Sequence, residues 1–297
     1  MISISHILCP IDYSEISHHA LAQAAAIARW YEARLTVLYV FPNLPTMDAP
    51  PLVLDAGDRE RLMNQMREFA SAVPSTVAVD FRLREAGFVH EEIVKQIEAT
   101  QADLLVLGTH GRSGFQRLFL GSVSEKVIRK VTCPTLIVPP RAPDAAVDAP
   151  VQFHRILCPV DFFDSSLDAL AYAINFAEEA DARLTLLHVI EVPRVLSEEP
   201  TAIDVDIPRI HEEAVARARQ RLNGLIPEQA STYCTREVTV VEGRAYREIL
   251  RQAMDGRSDL IVMGVHGRGA LDLLVFGSTT HHVIRASTCP VLVVRRG

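Results

Sequence analysis

Short apolar runs alternate with longer alanine-rich or polar segments along the whole chain. Residues 7–11 and 104–107 are almost entirely apolar, which is typical of strands buried on both faces of a parallel sheet. In the first half of the chain, the pattern predicts strands at residues 7–11, 35–41, 77–83, 104–107 and 135–138, and helices that end near residue 33 and cover about 58–72, 90–99 and 122–130. Strands that alternate with helices in this way predict a doubly wound parallel sheet.

The second half of the chain repeats the first. Three segments, HILCPID at 6–12, LTVLYV at 35–40 and TCPTLIV at 132–138, match RILCPVD at 155–161, LTLLHV at 184–189 and TCPVLVV at 288–294. The offset between equivalent residues is 149 early in the halves and 156 later, so the second half has gained about seven residues between Val189 and Gly243. A period of this length indicates duplication of a whole domain rather than a solenoid of short repeats.

We therefore expect two tandem doubly wound α/β domains, at residues 1–140 and 153–297, joined by a linker at 141–152. The stretch from Pro139 to Gln152 is rich in proline and alanine and has neither a helical nor a strand period. In doubly wound sheets, ligands bind beyond the carboxyl ends of the strands, where the strand order reverses. Asp12 and Gly108 both lie at predicted strand ends, so we expect them to face one crevice.

A glycine-spaced loop occurs at the same place in both halves. Two glycines separated by two residues are followed, after nine intervening residues, by Gly-Ser at the start of a predicted helix. The positions are Gly108, Gly111, Gly121 and Ser122 in the first half, and Gly264, Gly267, Gly277 and Ser278 in the second. Glycine lets backbone N–H groups approach an anion, and a helix N-terminus adds unpaired N–H groups and a favourable dipole. The loops therefore favour phosphate binding, and the alternative is that the glycines form turns with positive φ.

The flanking residues also leave alternatives open. Ser122-Val-Ser-Glu125 is a capping-box pattern, so Ser122 could simply cap its helix, whereas the second copy has His281 in place of the glutamate. Neither loop is a Walker A or GxGxxG sequence, so no lysine is placed for a phosphate by that route. Arg112 and Arg268 could supply charge to a phosphate or be solvated.

Histidines and carboxylates near the loops are further candidate site residues. His110 and His266 lie within the loops and are expected to orient them through hydrogen bonds, since no partner arrangement for a catalytic histidine is evident. Asp12 and Asp161 could be turn carboxylates at a helix entry or acceptors for a base or ribose. No catalytic residue is assigned.

Composition narrows the functional classes. The chain has 30 Lys and Arg against 37 Asp and Glu, a net charge of −7, and no basic run that would favour nucleic acid or anionic membranes. No apolar run approaches the roughly 20 residues that span a bilayer, and the N-terminus reads as a strand rather than a signal peptide. Five cysteines without a Cys-x-x-Cys motif indicate reduced thiols in a cytoplasmic protein, not a metal site.

With its Cys-Pro-Ile/Val-Asp and Thr-Cys-Pro flanks, the Gly-x2-Gly-x9-Gly-Ser pattern resembles the signature of the universal stress protein family, in both halves. The resemblance implies a five-stranded parallel sheet with helices on both faces in each half, an adenine nucleotide alpha-hydrolase-like fold. It implies ATP or a related adenine nucleotide as cofactor, with Mg as an optional companion ion. It also implies that the last strands, 135–138 and 291–294, pair antiparallel within one chain, as in a dimer.

The resemblance also assigns site residues by position. The motif glycines and serines of each half, with Arg112 and Arg268 alongside, would hold phosphates and ribose. The residues on the adenine side would be Ile11, Asp12, Val40, Val160, Asp161 and Val189.

We thus expect a cytoplasmic stress-response regulator that binds adenine nucleotide, forms an intramolecular pseudo-dimer with a further homodimer as an option, and acts on an unidentified protein partner. Two alternatives stay open. One is a slow ATPase or phosphotransfer enzyme, and the other is an interaction scaffold that binds no nucleotide.

Overall fold

The computed structural model describes residues 2–43, 54–109, 120–140, 152–191, 207–225, 235–265 and 277–295. The elements of the first half are β1 (His6–Ile11), α1 (Glu15–Trp30), β2 (Arg34–Pro42), α2 (Ala56–Phe69), β3 (Val79–Ala86), α3 (Val89–Thr100), β4 (Leu104–Gly108), α4 (Ser122–Lys130) and β5 (Thr135–Val138). Those of the second half are β6 (Arg155–Pro159), α5 (Asp164–Ala180), β7 (Arg183–Ile190), α6 (Ile207–Leu225), β8 (Arg236–Glu242), α7 (Ala245–Asp255), β9 (Leu260–Gly264), α8 (Ser278–Ala286) and β10 (Val291–Val294). The predicted α/β class is confirmed, and all five strands predicted in the first half are present.

All ten strands form one sheet in the order β3-β2-β1-β4-β5-β10-β9-β6-β7-β8. Neighbouring strands within a half are parallel, whereas β5 and β10 pair antiparallel, with Leu136 opposite Leu292 and Ile137 opposite Val291. The pairing implied by the family resemblance is therefore present. Because the junction is antiparallel, the carboxyl ends of the strands of the two halves lie at opposite edges of the sheet.

Helices cover both faces of the sheet, and side chains alternate between two cores. In β1, Ile7 and Cys9 belong to the core beneath α1, α2, α5 and α6, whereas Leu8 belongs to the core beneath α3, α4, α7 and α8. This two-residue period explains why parallel strands buried on both faces read as continuous apolar runs. Each core contains residues of both halves, so burial continues across the β5–β10 junction. Among the described helices, none is long and apolar enough to span a membrane.

A second contact joins the halves near the ends of α1 and α5. The Trp30 ring lies 5.5 Å from the ring of Phe153, and the Tyr31 ring lies 5.8 Å from that of Phe176. The Tyr31 hydroxyl donates a hydrogen bond of 2.6 Å to Oδ1 of Asn175. Since these contacts cross between halves more than 100 residues apart in sequence, they hold the halves in one orientation in addition to the strand pairing.

The last residue of β4 and of β9 approaches a helix start very closely. A Cβ atom added to Gly108 would lie 2.6 Å from Cγ2 of Ile16, and one added to Gly264 would lie 2.5 Å from the carbonyl oxygen of Ser165. Neither glycine has a positive φ, so the turn alternative is wrong for this pair. Glycine is needed at both positions because helix and strand pack there without space for a side chain. This packing fixes the helix start at the edge of the sheet where the site is expected.

The four described cysteines are free thiols. Burial raises the pKa of Cys9 to about 12, raises those of Cys133 and Cys289 to about 11, and also raises the pKa of Cys158. A thiol rather than a thiolate at neutral pH is unreactive, which is consistent with a packing role for these positions. Cys234 and residues 141–151 of the predicted linker at 141–152 lie outside the described residues.

Replacing Leu136 with alanine is expected to destabilise both halves together. Leu136 is fully buried in β5 opposite Leu292, so truncation should lower the free energy of unfolding by about 2–5 kcal/mol. Urea denaturation followed by both circular dichroism and Trp30 fluorescence should shift as one transition. Met254→Ala is the control, since that side chain is 69% exposed. Two separate transitions, with only one shifted, would contradict the continuous core.

Replacing Gly264 with alanine is expected to destabilise the protein because the new methyl group would overlap the Ser165 backbone. Overpacking of this kind costs about 1–3 kcal/mol, measurable as a lower urea midpoint. Gly224→Ala is the matched control, since a Cβ there meets nothing within 4 Å. Equal stability of the two variants would show that the close approach at Gly264 is relieved without cost.

Candidate functional site

A cleft of about 330 Å³ opens at the carboxyl edge of the second half. Its floor is formed by the ends of β6, β7 and β9, and its walls by the first turns of α7 and α8. The cleft lies where the strand order reverses between β6 and β9, the position at which doubly wound sheets bind ligands. The predicted site residues that line it are Val160, Asp161, Val189, Gly264, Gly277 and Ser278. Gly267, Arg268 and His266 lie outside the described residues.

The first half places the equivalent residues at the same points of its fold. Ile11 ends β1 and Asp12 follows it, Val40 lies in β2, Gly108 ends β4, and Gly121 and Ser122 begin α4. Ile11 and Val40 are only 6% and 5% exposed, so their side chains serve mainly as packed support beneath this edge. His110, Gly111 and Arg112 are outside the described residues.

Glycine occupies the N-cap position of both motif helices. Gly121 has φ −60° and ψ 145°, and Gly277 has φ −57° and ψ 143°, and neither α4 nor α8 has a side-chain cap. Ser122 and Ser278 are therefore the first helical residues, and the alternative in which Ser122 forms a capping box with Glu125 does not occur. Glu125 instead accepts a hydrogen bond of 2.8 Å from Arg129. The first N–H groups of a helix have no intrahelical partner, so an N-terminus without a side-chain cap is suited to binding an anion.

Contacts with the preceding strand explain why the cap falls on glycine. The N–H of Gly121 donates to the Thr109 carbonyl at 2.6 Å, and that of Gly277 donates to the Val265 carbonyl at 3.0 Å. The hydroxyls of Ser124 and Thr280 donate to the carbonyls of Gly108 and Gly264, at 2.8 and 3.0 Å. These bonds fix each helix start above the end of its strand.

Ser124 and Thr280 were not singled out from the sequence. The available signal was that both halves carry a hydroxyl two residues after the motif serine.

The carboxylates of Asp12 and Asp161 hold a tight turn at the start of α1 and α5. Oδ1 of Asp12 accepts from the Ser14 N–H at 3.0 Å, and Oδ1 of Asp161 accepts from the Phe163 N–H at 3.1 Å. Both aspartates therefore act as turn carboxylates. Asp161 also lines the cleft, which leaves its role toward a ligand as a proposal.

An aromatic residue in each of these turns adopts a left-handed conformation, with φ 64° at Tyr13 and φ 68° at Phe162. Such a backbone costs on the order of 1–3 kcal/mol and recurs at functional sites. The ring of Tyr13 lies 4.8 Å from that of Tyr39, and the ring of Phe162 lies 4.7 Å from that of His188. This packing holds the turn, and nothing in the sequence alone indicated the strained backbone.

Two polar residues of the second-half cleft are replaced by different residue types in the first half. His188 donates from Nδ1 to the Val160 carbonyl at 2.7 Å, and its equivalent is Tyr39. Oε1 of Glu191 accepts from the Ala245 N–H at 2.9 Å, so a carboxylate caps the start of α7 inside the cleft. The equivalent of Glu191 is Pro42, which has no carboxylate to offer to the start of α3. The halves therefore share a scaffold but differ in the chemistry of the wall.

Comparison with known proteins identifies both halves. Residues 3–139 and 152–295 each match the universal stress protein family. A universal stress protein from Mycolicibacterium smegmatis is 27% identical over 305 residues, covering 97% of this chain and 96% of that protein. One from Mycobacterium bovis is 28% identical over 204 residues, which is 67% of this chain but only 63% of the relative's length.

Solved structures show the same architecture. A universal stress protein from Archaeoglobus fulgidus superposes with a TM-score of 0.65 at 23% identity, covering 99% of this chain and 97% of that chain. At this identity the likeness establishes the fold alone. The family matches across both halves show that the chain belongs to the universal stress protein family, as a tandem member.

Proposed function

We propose that each half binds an adenine nucleotide, ATP or a close relative, at its carboxyl edge, and that the chain acts as a nucleotide-sensing regulator of the stress response. The observation that carries the proposal is the second-half cleft, which brings all six described candidate residues of that half to one concave surface. Its volume of about 330 Å³ lies within the range of small-molecule sites. The cleft therefore lies where doubly wound sheets bind ligands and has a volume within the small-molecule range, which supports the proposal.

The two helix starts orient the nucleotide within the cleft. Glu191 already occupies the Ala245 N–H at the start of α7, so that backbone donor is not free for a phosphate, whereas the N-cap of α8 is Gly277, which has no side chain. The phosphates accordingly lie at Gly277 and Ser278, and the base lies at the opposite end against Val160, Asp161 and Val189. A companion Mg ion would be held chiefly by phosphate oxygens, since Mg binds through few carboxylates and several waters.

The first experiment is to denature freshly purified protein and to identify any released small molecule by mass spectrometry, with its molar ratio to chain. Two adenine nucleotides per chain would support two working sites, and one would show that a single half binds. No released nucleotide, followed by no ATP binding in calorimetry with or without Mg, would overturn the proposal in favour of an interaction scaffold. Phosphate release above that of a Gly121→Val, Gly277→Val double variant would reveal hydrolysis.

Replacing Gly277 with valine is expected to abolish binding in the second half only, and Gly121→Val in the first half only. Both glycines have extended dihedral angles that valine adopts readily, so the fold should persist while the new side chain blocks backbone contact with a phosphate. Because the two sites lie at opposite edges of the sheet, each variant should halve the stoichiometry measured by calorimetry.

Gly224→Val is the control for these variants, since that glycine lies on α6 with open space around it. It should bind as many nucleotides as the unmodified protein. Wild-type stoichiometry in both single variants at Gly121 and Gly277 would show that the phosphates bind elsewhere.

A further inference from the structure

A group of basic and aromatic side chains lies beside the phosphate end of the second-half cleft. We call it the cationic rim, and it consists of Arg244, Tyr246, Arg247 and His282. The rings of Tyr246 and His282 stack at 4.6 Å with an interplanar angle of 26°. His282 donates from Nδ1 to the carbonyl of Ser278 at 2.6 Å, and Ser278 lines the cleft. The rim is therefore joined directly to the helix start where the phosphates are placed.

The two arginines of the rim flank one phenol. Nε of Arg247 donates to the Tyr246 hydroxyl at 3.0 Å, and the guanidinium groups of Arg247 and Arg244 lower the pKa of Tyr246. Within the part of the chain that the structure describes, neither arginine forms an ion pair with a carboxylate. The nearby Glu248 is instead held by Arg251, at 2.9 Å. Although Glu191 accepts from the N–H of the intervening Ala245, two guanidinium groups outside every ion pair of the described residues are a favourable setting for an added anion.

The fold does not require this charge, because the first half has a different set of residues at the same positions. Arg244 and Arg247 correspond to Phe88 and Glu91, and Tyr246 corresponds to His90. Phe88 is 57% exposed, so the first half presents an apolar group and a carboxylate where the second presents two guanidinium groups. The pair of arginines is thus specific to the second half, whereas the position of His282 carries Lys126 in the first.

We propose that the cationic rim binds the distal phosphates of the nucleotide and makes the second half selective for triphosphates over monophosphates. This inference rests on the proposed nucleotide site. The first phosphate lies at the N–H groups that begin α8, and a longer chain leads outward past Ser278 to His282 and the arginines. Guanidinium groups suit this role because their fork of N–H donors matches phosphate oxygens. The first half, with Glu91 at the equivalent place, does not discriminate in this way.

The test is calorimetric titration of the full chain with ATP, ADP and AMP, in a Gly121→Val background that confines binding to the second half. Arg247→Glu should weaken ATP binding about tenfold or more, the effect of a lost charge-assisted hydrogen bond. AMP affinity should change by less than twofold, because its single phosphate remains at α8. Arg217→Glu makes the same charge change on exposed α6, on the other face of the sheet, and should leave the ATP to AMP ratio unaltered.

The possible results distinguish the proposed role of the cationic rim from the proposed nucleotide site. Unchanged ATP affinity in Arg247→Glu, or an equal loss of ATP and AMP, would overturn the role of the rim while leaving the nucleotide site in place. Absence of binding of both nucleotides to the unmodified chain would overturn the site itself. Circular dichroism checks the fold of Arg247→Glu, and Arg247→Gln, which removes the charge without reversing it, should reproduce the ATP-specific loss.

Discussion

The antiparallel pairing of β5 with β10 is the contact on which the rest of the molecule depends. It joins two five-stranded parallel sheets into one sheet of ten strands and leaves neither of these apolar strands as an exposed edge. It also makes the two hydrophobic cores continuous, because each core draws residues from both halves. The duplicated chain therefore forms, within one molecule, an arrangement that two separate copies could form only through a dimer interface.

The same pairing determines where the two candidate sites lie. Strands are parallel within each half and antiparallel at the junction, so the carboxyl ends of β1 and β4 face away from those of β6 and β9. The two sites cannot share a ligand, and coupling between them would have to pass through the sheet and its junction. Separate sites on a common scaffold are free to diverge, as Glu191 and the cationic rim indicate for the second half.

The motif glycines perform two different physical tasks. Gly108 and Gly264 end their strands against helix starts that leave no space for a Cβ atom, so they are explained by packing alone. Gly121 and Gly277 have ordinary extended dihedral angles and serve as N-caps without a side chain, which leaves the first turn of the helix open to an anion. The spacing of the motif thus combines a packing requirement at the first pair with an uncapped helix start at the second pair.

The sequence by itself determined the α/β class, the duplication and the location of most of the site. Apolar runs of strand length predict β1, β4 and β5 because these strands are buried on both faces. Asp12 and Gly108 lie at the ends of such strands, which is where doubly wound sheets bind ligands. The same reasoning placed the second-half residues that line the cleft, since the repeat transfers each position to its counterpart.

Tertiary structure decided what local patterns could not. Ser122 has the sequence of a capping box, yet Gly121 is the cap because its N–H reaches the Thr109 carbonyl, a contact across the loop. The left-handed conformations of Tyr13 and Phe162 depend on rings supplied by β2 and β7. The stack of Tyr246 on His282 depends on how α7 packs beside α8. In each case the deciding partner is distant in sequence, so only the folded chain brings it within reach.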